Sequence, residues 1–115
     1  MRMNHVLKPP VKPTFSRVGV EGAIFSTQHL TSKTEFLIIT TEAGHDTTII
    51  EHECDFSYYI LEGSGAFTID GKTELCDVGD LVMIPAGHKF TYKGKLKMLL
   101  NVTPPFMPEQ EEVVI

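Results

Sequence analysis

The chain has no tryptophan, only two cysteines, and no apolar run near the roughly 20 residues that cross a bilayer as a helix, although 42% of its residues are apolar. Two cysteines, Cys54 and Cys76, are too few for a disulfide framework, and in a reducing compartment they stay thiols. The N-terminal stretch MRMNHVLKPPVKP lacks the hydrophobic segment of a secretory signal, so the expected location is the cytoplasm and no membrane partner is expected. Positive charge is also scarce: ten Lys and Arg stand against fifteen Asp and Glu, for a net charge of -5. That balance argues against a phosphate-tracking surface and hence against nucleic acid as a partner. The one basic run, Lys89, Lys93, Lys95 and Lys97, surrounds Gly94 and reads as a solvated hairpin.

What is present is β-forming sequence. With 115 residues there is room for one domain and one core. From Thr34 onward the segments TEFLIITT, TTIIEH, FSYYILEG, GAFTID, KTELC, DLVMIPAG, KFTYKG and KLKMLLNVT are rich in β-branched and aromatic residues. Gly or Asp turns separate them. Asp70-Gly71 is a strong two-residue hairpin signal, because a type I′ turn needs positive φ at both central positions. Eight short strands without a helical period predict an all-β sandwich or barrel spanning residues 15–104. Before it, Pro9, Pro10 and Pro13 predict an extended arm over residues 1–14, able to cover an edge strand. After it, residues 105–115 read as an acidic tail held off from early pairing by prolines.

Two stretches carry a resemblance. GHDTTIIEHECDFSYYILEGSG (Gly44 to Gly65) and GDLVMIPAGHKFTYKG (Gly79 to Gly94) resemble the two signature motifs of the cupin superfamily, with Gly44, Gly63, Gly79, Pro85 and Gly87 on family positions. Together with the strand between them they cover about half the chain. The resemblance implies a double-sheet jelly-roll barrel with a cavity open at one end, and a homodimer. It places Gly63 at a sharp reversal between strands.

In that family two histidines and a glutamate of the first motif, with a histidine of the second, bind a divalent transition metal. Those four positions here hold Ile50, His52, Phe56 and Phe90. A transition metal wants at least three converging N, O or S donors, so the expected pocket is metal-free. The alternative is a rearranged ligand set of His45, His52, Cys54 and His88. Strand alternation carried from the family frame turns Ile50, His52, Phe56, Tyr58, Ile60, Phe90 and Tyr92 inward, and Glu51 and Glu53 outward. Five of these, His52, Phe56, Tyr58, Phe90 and Tyr92, form the expected binding surface for a small organic ligand, sugar-like or cyclic. His52 with Tyr58 or Tyr92 is the candidate acid/base pair of a metal-independent isomerase or epimerase, in keeping with relatives that pair a histidine with a tyrosine. A metal-dependent oxygenase or decarboxylase is the third reading. His88, beside the turn, is expected at the rim.

Overall fold

The computed structural model describes residues 4–107 and 111–114, which form ten strands and no helix. They are β1 (Phe15–Arg17), β2 (Val20–Ile24), β3 (Glu35–Thr41), β4 (Thr48–Glu51), β5 (Asp55–Ile69), β6 (Lys72–Asp77), β7 (Leu81–Ile84), β8 (Phe90–Lys93), β9 (Leu96–Thr103) and β10 (Glu111–Val114). All pairings are antiparallel, in the order β1-β2-β3-β9-β5-β8-β4-β10, and β6 and β7 both add to β5. The sheet curls into a barrel, as the strand pattern predicts, and it is of the cupin type that the resemblance implies.

Alternation along the strands builds the interior. On β9 the residues Leu96, Met98, Leu100 and Val102 are buried, and the intervening Lys97, Leu99 and Asn101 are half-buried on the outer side. Each such side chain contributes about 1.5–3 kcal/mol by leaving water. The same two-residue period places Leu37 and Ile39 of β3, Phe56, Tyr58 and Ile60 of β5, and Phe90 and Tyr92 of β8 inside.

The structure departs from the sequence reading in three places. The segments FSYYILEG and GAFTID are one 15-residue strand, β5, with no reversal at Gly63. Its first part pairs with β9 and β7, its second with β6 and β8, so β5 passes from one half of the barrel to the other. The crossing is made by a register shift between Ile60 and Glu62 and by Gly63 at φ 89°, where a Cβ would lie 2.0 Å from the Lys95 carbonyl oxygen. Only glycine permits that approach. The strands β1 and β2 were not expected, since the glycines of VGVEGAIF dilute the β signal. Nor was β10: past the prolines, Glu111–Val114 pairs in register with β4, Glu111 opposite Glu51, and completes the sheet where a loose tail was expected.

Candidate functional site

Inside the barrel lies a cavity of about 280 Å³, near the lower end of the roughly 300–1,000 Å³ typical of ligand pockets. Its walls are apolar, built from Val20, Leu37, Ile39, Leu100 and Val102 with Phe56. Six polar residues interrupt them: His45, Tyr58 and Tyr92 in the interior, and Arg17, Glu35 and Glu111.

His45 comes from the loop between β3 and β4, and its placement rests on the residue before it. Gly44 has φ 101°, and a Cβ there would lie 2.2 Å from the Tyr92 carbonyl oxygen and 2.6 Å from Lys93 Cα. Glycine thus lets the loop lie flat against β8, where the His45 N–H donates to the Tyr92 carbonyl at 2.9 Å. Thr41 locks the approach: its Oγ1 accepts from the Gly44 N–H at 2.8 Å and donates to the Gly19 carbonyl at 2.9 Å. Lys93 Nζ donates to the His45 carbonyl at 3.0 Å. The imidazole is 4% exposed and packs on Tyr92, with ring centroids 4.7 Å apart, and on Phe90, at 5.7 Å.

The protonation state of His45 follows from this setting. Nδ1 lies 3.1 Å from the Thr47 carbonyl oxygen, which only accepts, so Nδ1 carries the proton. Burial holds the ring below the usual histidine value of 6.5, against the opposing pull of the Thr47 carbonyl and of Glu111. At neutral pH the imidazole is uncharged. Its Nε2 keeps a lone pair and makes no hydrogen bond among the described residues.

Tyr58 and Tyr92 face each other with ring centroids 5.5 Å apart. Burial raises the pKa of both phenols, and the neighbouring Tyr92 phenol raises that of Tyr58 further. Both stay protonated. Phe56 lines the cavity beside them, whereas Phe90 is buried behind it, packed edge-on against Phe56 at 5.6 Å.

Strands from opposite ends of the chain supply the charged groups. Arg17 of β1 holds Glu111 of β10 with both terminal guanidinium nitrogens, Nη1 donating to Oε2 at 3.1 Å, and its guanidinium carbon lies 5.7 Å from the Phe106 ring centroid. The Glu111 side chain is 4% exposed, against 43% for Arg17. Glu35 of β3 also lines the cavity, and burial raises its pKa against a hydrogen bond from the Phe106 backbone.

Besides Phe90, three expected site residues lie elsewhere. His52 is on the exposed turn after β4, its Nε2 3.0 Å from Glu112 Oε2, and it does not line the cavity. On β4, which follows a bend at Asp46–Thr47, Ile49 and Glu51 are the buried residues, opposite to the family frame, which would turn Ile50 and His52 inward. Glu51, expected outside, is 3% exposed: Oε1 accepts from the N–H groups of Glu53 at 2.7 Å and Cys54 at 3.2 Å, and Oε2 has no hydrogen-bond partner among the described residues. His88 is at the surface, paired through Nδ1 with Asp70 at 2.5 Å. Cys54 is buried, its thiol pushed up to about 11 by burial and by Glu51, so it is not a thiolate at neutral pH.

The divalent metal that the fold family implies therefore finds no matching donor set. The four positions that the sequence resemblance assigns to it carry Ile50, His52, Phe56 and Phe90, two of them hydrocarbon rings packed together. His45, His52, Cys54 and His88 do not converge, and among the described residues no group of three or more His, Cys, Asp and Glu side chains could hold a metal ion.

No protein-family model and no curated protein sequence matches the chain. Solved structures do. Pac13 from Streptomyces, a nucleoside dehydratase, superposes with a TM-score of 0.83 at 19% identity, covering 99% of this chain and 92% of that one. Variants of Pac13 in which a single histidine is replaced by glutamine, or one or another tyrosine by phenylalanine, have been solved with uridine. KdgF from Halomonas sp. matches at a TM-score of 0.66 and 16% identity over 91% of each chain. The ectoine synthase of P. lautus matches at 0.67 and 17%, over 88% of this chain and 80% of that one.

Proposed function

We propose, from the premise that the chain is a cupin by fold, that it is a metal-independent lyase eliminating water from a nucleoside-sized, hydroxylated substrate, with His45 as the base. The observation that carries this reading is the neutral, buried His45, its Nδ1 proton held by Thr47 and its Nε2 lone pair available in a cavity that also contains two protonated tyrosines. Spacing supports it. In Pac13 the two tyrosines chosen for replacement follow the histidine by 13 and 47 positions, and Tyr58 and Tyr92 follow His45 by the same intervals.

The chemistry is within the reach of these groups. Nε2 takes a proton from a carbon made acidic by an adjacent carbonyl, and the electron pair forms a double bond as hydroxide leaves the neighbouring carbon. The proton on the imidazolium passes to that hydroxide, so the products are an unsaturated compound and water, and the base is restored. Tyr92, protonated and lining the cavity beside His45, donates to the carbonyl oxygen and stabilises it as negative charge develops. The apolar walls keep bulk water from competing.

The test is incubation with nucleosides and their carbonyl-bearing derivatives in deuterated water, followed by proton NMR and mass spectrometry. Loss of one water, abolished in His45→Gln and unaffected by chelators, is the expected result. Substrate that binds unchanged would support instead a small-molecule-binding module. Deuterium uptake without loss of water would support an isomerase or epimerase. Activity that chelators abolish would overturn the metal-independent reading.

A further inference from the structure

The cavity's ionic groups form a closed set. Among the described residues that line it, Arg17 is the one cation, and Glu35 and Glu111 are the anions. No lysine lines the cavity, and no helix among the described residues points an N-terminus at it. Arg17 already spends both of its terminal nitrogens on Glu111, whose side chain is almost fully buried. The two residues lie 94 positions apart, on the strands at either end of the sheet order, where no backbone pairing joins β1 to β10. Their side chains bridge that seam.

A phosphorylated ligand in this cavity would bring two negative charges toward Glu35 and Glu111 with no free cation to receive them. Arginine is a strong phosphate partner because its planar fork matches two oxygens at once, but here a carboxylate occupies the fork. Breaking the pair to admit a phosphate would strand Glu111 as a buried, unneutralised charge.

We propose that the Arg17–Glu111 pair is a charge filter that makes the site selective for an uncharged ligand, a nucleoside over its phosphate. This inference rests on the nucleoside reading above. Isothermal titration with uridine and with uridine 5′-monophosphate separates the two. The wild-type protein should bind uridine at least tenfold more tightly than the monophosphate. In Glu111→Gln the fork is released, and the ratio should shrink at least tenfold in favour of the monophosphate. In Arg17→Met the carboxylate is left alone, and the ratio should widen.

A ratio unchanged in both variants would mean that size, not charge, excludes the phosphate, and would overturn the filter. Wild-type protein that binds the monophosphate as tightly as uridine would also overturn it, while leaving the nucleoside reading in place. If neither compound binds the wild-type protein, the nucleoside reading falls and the filter falls with it. Should Glu111→Gln fail to fold, the opposite sign expected of Arg17→Met still decides the question.

Discussion

Two turns flank β4, and each carries a histidine. The one before it, at Gly44–Thr47, is tied down by Thr41, Tyr92 and Lys93 and drives His45 into the barrel. The one after it, at His52–Glu53, is closed from within by the Glu51 carboxylate and leaves His52 half in water beside Glu112. The backbone around each ring decides its fate. Where the loop is hydrogen-bonded to the barrel wall, the imidazole is desolvated and held neutral. Where the turn satisfies its own N–H groups, the side chain is left to solvent.

The largest effect that would break this comparison is on turnover. His45→Gln should lower kcat by about 10² to 10⁴, the usual span for loss of a general base, and His52→Gln should leave it within about twofold. Equal losses in both would remove His45 from its proposed role.

Next in size is the anchoring of the first turn. Gly44→Ala forces a Cβ into the Tyr92 carbonyl and asks alanine to hold φ 101°, so it should cost roughly 3 kcal/mol or more, read as a lower denaturant midpoint. No relief is available from a flexible neighbour, because the obstructing atoms are backbone.

A smaller effect tests the electrostatics. His45 has a lowered pKa in the folded state, so the unfolded chain binds its proton more readily. The stability associated with neutral His45 is therefore fully present above pH 6.5, declines as pH falls through that value, and levels off once the folded-state pKa is passed. His45→Gln should flatten that part of the pH–stability curve, measured by chemical denaturation. In the proposed reaction the acidic limb of the rate profile should also lie below 6.5, because catalysis needs the uncharged ring. A limb above 6.5 would contradict the desolvated setting. The smallest effect belongs to the second turn: His52→Ala removes a solvent-screened contact with Glu112 and should change stability by less than about 0.5 kcal/mol.

The sequence made the strands legible, and wherever alternation runs unbroken it also made their inward faces legible. Phe56 and Tyr58 on β5 and Tyr92 on β8 line the cavity as their two-residue period predicts. His45 escaped that logic because it sits on a loop, where no period constrains a side chain. The available signal was its position directly after a glycine, in a chain where the next strand was still three residues away. His52 was misplaced because the family frame was carried through a bend that shifts the phase of β4 by one residue, and one residue reverses every face. Arg17 and Glu111 could not be read from sequence at all. One lies between glycine-diluted strands and the other beyond a run of prolines, and nothing local announces that they meet.

That meeting bears on the order in which the protein is made. The Glu111 carboxylate is synthesised after the other nine described strands, and its partner Arg17 stands on the first of them. Contacts so distant in sequence form late, since the intervening loop entropy must be overcome first. The Arg17–Glu111 contact is therefore expected among the last to form, and the cavity gains its Glu111 carboxylate only when β10 pairs with β4.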